Sequence, residues 1–404
     1  MSQRPPNRHA VTFIFITVLL DMVGFGLIMP VLPRLIESVS GTDLAGASLL
    51  AGWLFFAYGV TQFLFGPVLG NLSDAYGRRP ILLLSVFGLG VDYLLTAFAP
   101  TMLWLFVGRT FAGLCGASYT TANAYLADIT KPEDRAKAFG WMGAAFGLGF
   151  IIGPAIGGVL GEFGPCIPFF VAAGVSVLNF AYGYFVLPET LPPELRRPFS
   201  ISRSNPIGVF KVFASYKQVL PLCIVMSVYF FATSVYPAIW AFWGIARFSW
   251  SESTIGLTLA VFGLVMALVQ GGLTGPAVNW LGERNLAVLA LVSSVIAATG
   301  YGLASGLGMV FVLYIIHAPE GFAQPALTAL MSRDAPPDAQ GELQGGIASA
   351  QNLAMLAGTV MFAQIFGYFL QDGSPIRSPS VSFFIAAGLC LLALVIFIRL
   401  PGRK

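Results

Sequence analysis

Five ionisable residues stand where an apolar chain has least use for them: Asp21, Asp92, Arg109, His317 and Glu320. Each falls within a strongly hydrophobic run. An ionisable group at mid-bilayer costs about 2.5–3.5 kcal/mol on insertion scales, so such groups point to ion or solute handling. A carboxylate there is pulled two ways: burial favours the protonated form, and a nearby cation favours the ionised form. A group balanced between the two loads a proton on one face of a membrane and releases it on the other. Asp21, Asp92 and Arg109 are therefore read as a proton-coupling set, with a static ion pair that fixes helix packing as the alternative. His317 and Glu320 lie three apart and share a helix face. They either titrate or touch solute, or they form a pair buried against Gln324 or a neighbouring helix. Pro319 and Pro325 loosen that helix.

The elements that must position these groups are membrane helices. Of 404 residues, 57% are hydrophobic and 10% charged, against about 25% charged in a soluble domain. Apolar runs of roughly 20 residues are the signature of spanning helices. The sequence predicts twelve, at about residues 10–33, 48–69, 80–99, 102–125, 138–160, 166–187, 218–243, 253–274, 286–304, 307–330, 344–370 and 380–400. A strand-built membrane protein would show short alternating segments instead. The first run lacks a small-residue cleavage site and reads as a span, not a leader. The four cysteines are scattered and form no metal or disulfide framework. Of the 21 Lys and Arg, only Arg34, Arg247 and Arg377 fall on the outer side, with Arg109 inside a span. The excess of cations on the other side predicts that both termini are cytoplasmic.

One offset relates the two halves. Adding 205 maps Gly70 onto Gly275, Gly77 onto Gly282, Pro132 onto Pro337, Gly140 onto Gly345 and Gly153 onto Gly358. A shift that serves several separate segments signals duplication. We expect two pseudo-symmetric six-helix bundles, residues 1–187 and 218–404. A cytoplasmic linker, 188–217, joins them. Within it Asn205-Pro206 resembles a helix start, and Ile207, Val209, Phe210 and Phe213 form either a short helix on the membrane surface or part of a solvated linker. The same offset sends Asp21 to Met226, Asp92 to Ala297 and Arg109 to Tyr314. The second half thus lacks the first half's charges and carries His317 and Glu320 instead.

The stretch GNLSDAYGRRP, Gly70 to Pro80, reads as a short loop at the membrane surface. Its Gly70, Asp74, Gly77, Arg78 and Arg79, together with Arg135 of the following cytoplasmic segment, are candidate gating residues. Gly149, Gly153 and Gly157 recur every four residues around Pro154 and give one smooth helix face for close packing. Tyr58, Gln62, Asn123, Trp240, Gln324 and Gln351 are candidate solute contacts. No phosphate-binding G-x-x-x-x-G-K-[ST] loop and no soluble domain of ATPase size is present, so a gradient must supply the energy. A proton falling through 100 mV yields about 2.3 kcal/mol.

The segments LLDMVGFGLIMPVLP, GNLSDAYGRRP, VDYLLTAFAP, VGRTFAGLCGA, GLGFIIGPAIGG and MSRDAPPDAQGELQG carry a family resemblance. The chain resembles a twelve-span major facilitator superfamily transporter of the drug:proton antiporter group, and bacterial tetracycline-efflux proteins within it. The resemblance implies an all-α membrane protein of the major facilitator fold, and proton-coupled export by alternating access. It implies that Asp21, Asp92 and Arg109 are the intramembrane charges, Gln62 a drug-site residue and Asp74 part of a cytoplasmic latch. It also implies a monomer in the bacterial cytoplasmic membrane. No cofactor, metal or nucleic acid is expected, only protons, the bilayer and a small-molecule substrate. Ala75 departs from the Arg usual in that loop, and Met266 stands where tetracycline exporters carry a His. The alternative class is a permease or symporter for a metabolite such as a siderophore or peptide-like solute.

Overall fold

The computed structural model describes residues 8–116, 118–130, 134–200, 213, 216, 218–333, 336 and 339–401. Among them every regular element is helical. In oil a backbone amide finds no water, and a helix satisfies its own hydrogen bonds. Nine of the described helices are long and apolar enough to cross a bilayer, or ten when one bent pair counts as a single span. The expected twelve differ from these where spans are broken or run together. Helices α1 (Arg8–Ile28) and α2 (Leu32–Ser40) meet at 55° beside Pro30. The span expected at 102–125 is divided at Gly116 into α5 (Met102–Cys115) and α6 (Ser118–Ile129). The spans expected at 253–274 and 286–304 run on as one 52-residue stretch, Glu252–Leu303. At 1.5 Å per residue that length is more than twice the bilayer's hydrocarbon core of about 30 Å. Gly282, at φ 74°, marks the turning point within it.

The surface loop expected at Gly70–Pro80 is mostly helix. Helix α3 runs Leu44–Tyr76, α4 begins at Arg78 and extends to Ala97, and the junction is Gly77 alone. Asn and Ser leave helices when their side chains compete for backbone partners. Here Asn71 donates instead to the carbonyl of Ser200 at 2.5 Å, and Ser73 donates back to Gly70 at 2.7 Å. The whole turn is made by Gly77 at φ 109°, a conformation closed to residues with a Cβ. Its counterpart by the 205 offset is Gly282.

The same offset relates two ion pairs. Arg78 binds Asp128 at 3.1 Å, and Glu283 binds Arg333 at 2.8 Å. Residues 78 and 128 become 283 and 333, so the second pair repeats the first with its charges exchanged. Arg79 and Arg284, also equivalent, each donate to a helix-end carbonyl and lie over a ring. Arg79 uses the Tyr184 carbonyl at 2.6 Å and the Tyr184 ring; Arg284 uses the Leu400 carbonyl at 2.7 Å and the Phe397 ring.

The remaining helices are α7 (Arg135–Gly161), α8 (Ile167–Val186), α9 (Leu220–Thr233), α10 (Val235–Phe248), α11 (Glu252–Leu268), α12 (Thr274–Leu303), α13 (Leu307–His317), α14 (Ala323–Arg333), α15 (Gln340–Leu370) and α16 (Val381–Arg399). The chain forms two compact units: Met1–Gly41, Ala57–Asn205 and Ser251–Ala260 in one, and Thr42–Phe56, Pro206–Trp250 and Val261–Lys404 in the other. The surface helix considered for Ile207–Phe213 falls largely outside the described residues, as does the side chain of Arg135.

Lipid tails are as apolar as leucine, so helix contact in a membrane depends on close packing and polar bonds. In the first unit α7 lies against α1 along Gly149, Gly153 and Gly157. A Cβ at Gly153 would meet the Val23 carbonyl at 2.7 Å and Gly26 Cα at 2.8 Å. Gly149 meets Leu19 and Met22, and Gly157 meets Leu27. Thr17 on α1 donates to Asn179 on α8 at 3.2 Å, in a buried site. In the second unit Ser293 on α12 donates to the Ile316 carbonyl on α13 at 2.6 Å.

Candidate functional site

The first unit gathers its charges in one place. Asp21 is carried by α1, Asp92 by α4 and Arg109 by α5, and both carboxylates are buried, Asp92 fully. Arg109 Nη2 donates to Asp92 Oδ2 in a direct ion pair. Thr96, one turn on from Asp92, donates to the other carboxylate oxygen at 3.4 Å. Gly108 makes room for this: a Cβ there would stand 2.9 Å from Asp92 Oδ1. Tyr58 on α3 lies within electrostatic reach of Arg109, Asp92 and Asp21, and hydrogen-bonds with Gln62 one turn along. Gln62 donates to the Gly116 carbonyl at 3.1 Å, where α5 gives way to α6. Tyr93 feels the same charges and packs its hydroxyl against Gly24 of α1. Sequence reasoning did not single out Tyr93 or Thr96; their only signal was adjacency to Asp92 and one-turn spacing from it. Asn123 on α6 is half-buried.

The second unit has a different centre. His317 ends α13, and residues Ala318–Phe322 pass through a tighter 3-10 turn before α14 resumes at Ala323. The helix is broken at Pro319, as expected from a residue that removes an amide and crowds the preceding turn. His317 Nε2 and Glu320 Oε2 face each other at 2.7 Å, both buried. The approach is at ion-pair distance but out of line, and neither atom completes a directed hydrogen bond. Tyr229 on α9 donates to Glu320 Oε1 at 3.2 Å. The Tyr301 hydroxyl on α12 lies 3.0 Å from His317 Nδ1. Around the imidazole stand Tyr236 at 4.8 Å, Phe262 at 4.9 Å and Tyr301 at 5.6 Å, centroid to centroid. None of these rings was among the sequence candidates; in a chain with 35 Phe and 13 Tyr they carried no local signal.

Other sequence candidates distribute as follows. Trp240 is buried, its ring 5.2 Å from Tyr301 and 6.1 Å from Tyr314. Gln351 on α15 is buried and donates to the Met226 sulfur at 2.9 Å. Gln324 is exposed, while the pair His317–Glu320 is buried beside Tyr229 and Tyr301 of neighbouring helices. At the helix junction, Asp74 pairs with Arg78 at 2.5 Å. A residue the sequence reading missed holds this junction: Glu189 accepts from the Arg78 and Arg79 amides at 2.9 and 3.2 Å, capping the start of α4. A carboxylate suits the positive end of a helix, and it lies 111 residues away in sequence.

Outside the membrane-spanning segments, Glu162 at the end of α7 has its carboxyl held below the usual range. Hydrogen bonding from Ser253 is the main cause, with further help from Ser251 and the Arg34 charge. Nearby, Arg34 Nε pairs with the buried Glu252 at 2.7 Å.

Residues 14–359 match the Major Facilitator Superfamily. The chain is 39% identical to the class C tetracycline resistance protein of Escherichia coli, over 89% of this chain and 90% of that one. It is 28% identical to multidrug resistance protein 2 of Bacillus subtilis (strain 168), over 91% of this chain and 90% of that one. Among solved structures, the human organic anion transporter MFSD10 (TETRAN) superposes with a TM-score of 0.71 at 25% identity, covering 98% of this chain and all of that one. The buried charges thus belong to a transporter scaffold, not an enzyme, and the chain is a multi-pass membrane protein of the Major Facilitator Superfamily.

Proposed function

We propose that the chain is a proton-coupled exporter of small amphipathic compounds, built from twelve spans with both termini cytoplasmic and working by alternating access as a monomer in a bacterial cytoplasmic membrane. The observation that carries this reading is the pair of buried carboxylates Asp21 and Asp92 in one unit, with the half-buried Arg109 paired to Asp92. A guanidinium does not lose its proton in a protein. Asp92, paired to it, balances that fixed charge, and Asp21, buried midway along α1, is the carboxylate assigned to load and release a proton. Tyr58 and Gln62 lie within reach of the same charges and are the solute contacts on this side. Asp74, Arg78 and Asp128 form the cytoplasmic latch, with Glu189 holding the Gly77 turn in place. The relatives, named for resistance to tetracycline and to multiple drugs, favour export over uptake.

The test is flux in proteoliposomes under an imposed pH gradient. Export by antiport moves solute against the direction of proton flow. Movement of solute with the protons would replace this reading with a symporter.

A further inference from the structure

Ser85 on α4 and Thr121 on α6 are each only 1% exposed, and neither hydroxyl has a hydrogen-bond partner. A helix offers a hydroxyl an easy remedy, the carbonyl one turn back. Thr61, Ser294 and Thr299 all take it, at 2.5, 2.9 and 2.8 Å. Ser85 and Thr121 do not. They stand at one level between two ion pairs. Arg78 pairs with Asp128 where α4 begins and α6 ends. Ser85 lies two turns beyond Arg78 and Thr121 two turns before Asp128, so each repeats its helix face about 10 Å deeper. Asp92 lies two further turns along the same stripe of α4. Cys115 fills the step between, its sulfur against Gly88 and within electrostatic reach of Asp92. The stripe thus runs from Asp128, exposed at the surface, past Thr121, Ser85 and Cys115 to the buried Asp92.

The second unit shows what this place holds when only packing matters. By the 205 offset Ser85 and Thr121 correspond to Ala290 and Ala326, both buried in one apolar cluster. The ion pair at the helix ends is kept there as Glu283–Arg333, while the counterpart of Asp92 is Ala297. Two alanines therefore fill the position, and packing does not require the hydroxyls of the first unit. They occur in the unit that also buries Asp21 and Asp92. An unpaired hydroxyl is destabilising in an apolar interior. Water bridging two of them satisfies both, and water chains carry protons. The titratable and charged groups along the stripe are Arg78, Asp92, Arg109, Cys115, Tyr125 and Asp128. The arginines keep their protons, and Tyr125 is committed to the Pro188 carbonyl at 2.9 Å. The two hydroxyls are the groups left free to hand a proton on.

We propose that Ser85 and Thr121 are relay residues that, with water between them, carry protons between the surface at Asp128 and the buried carboxylates, ending at Asp21. Resting on the proton-coupling reading, this gives the proton a path along α4 and α6, apart from the solute contacts Tyr58 and Gln62. Its entrance is the face proposed as cytoplasmic. Asp21 belongs to the same charge cluster as Asp92, since Tyr58 and Tyr93 each feel both. The transfer balances: each hydroxyl accepts one proton and passes on another, so it ends unchanged. The carboxylate gains the one proton that solvent loses, and the return journey reverses the steps.

The experiment uses the full chain in detergent and needs no solute. A stopped-flow step from about pH 8 to about pH 5 is followed by the infrared C=O band of protonated carboxyl groups. The part of the band missing in Asp21→Asn is assigned to Asp21. Ser85→Ala with Thr121→Ala, the pairing the second unit already uses, should slow that part by at least about tenfold. Its final amplitude and the thermal unfolding midpoint should stay at wild type. Ser85→Thr and Thr121→Ser, which keep a hydroxyl, should protonate Asp21 within about threefold of the wild-type rate. Should the double variant fail to fold, the single alanine variants are read in the same way. Protonation of Asp21 at the wild-type rate in the alanine variants overturns the proposal. Equal slowing in the variants that keep a hydroxyl also overturns it, since that reports packing. The wider reading is judged separately: an Asp21 band that never appears in wild type strikes proton coupling itself, whereas a normal band with wild-type kinetics in the alanine variants removes the relay alone.

Discussion

The two units solve the problem of a buried carboxylate differently. In the first, Asp92 is paired with Arg109, a cation that cannot be withdrawn. In the second, Glu320 lies against His317, an imidazole that is a cation only when protonated. A permanent cation fixes a carboxylate's charge in place, whereas an imidazole has no fixed charge of its own. The residues equivalent by the 205 offset reinforce the contrast. Met226, in the place of Asp21, is buried against Gln351; Ala297, in the place of Asp92, is fully buried; Tyr314, in the place of Arg109, joins the aromatic cluster. Where the first unit holds charge, the second holds apolar and aromatic surface, and its own charges sit elsewhere on a broken helix.

The largest expected effect tests the permanence of the first pair. Removing one partner of a buried ion pair costs about 3–5 kcal/mol, because the other charge is left uncompensated. Arg109→Leu should therefore destabilise the chain strongly, and Arg109→Leu combined with Asp92→Asn should recover most of the loss. Thermal unfolding in detergent reads both. A double variant no more stable than the single would show that the two residues act independently.

A second contrast separates Gly77 from Gly282. Both adopt positive φ, and a Cβ there costs about 1–3 kcal/mol. Gly282 has open space around it, but at Gly77 a Cβ would run into the Glu189 carboxylate that caps α4. Gly77→Ala should thus cost more than Gly282→Ala, and adding Glu189→Ala should narrow the difference. Equal losses would mean that backbone strain alone governs both junctions.

The smallest effect concerns Glu162. Its carboxyl is held low, so its contribution to the contact with Ser253 is present above its ordinary value. That contribution is lost as pH falls through the lowered folded-state value. Glu162 is solvent-exposed, so the change is slight. Glu162→Gln should flatten the acid limb of the stability profile between wild type and variant; parallel profiles would place the effect on another group.

The apolar runs were legible because the bilayer imposes one length and one chemistry on every span. The buried charges were legible for the same reason, since each departs from its surroundings. The junctions were not. Gly70–Tyr76 has turn composition, yet Asn71 and Ser73 spend their hydrogen bonds on Ser200 and Gly70, and the helix continues. The Glu283–Arg333 pair could be found only after the Arg78–Asp128 pair was seen, because exchanged charges defeat a comparison of residue types. Glu189 and the rings around His317 come together from distant segments, and only the packing shows them. Pro319, by contrast, acts on its own turn, and the break it causes could be read directly.

The central claim is that charge buried in the first unit couples proton movement to solute movement. Asp21→Asn in proteoliposomes tests it most directly, with gradient-driven accumulation and solute counterflow measured side by side. The account predicts that accumulation is abolished while counterflow and solute binding persist. Accumulation at the wild-type level would contradict it.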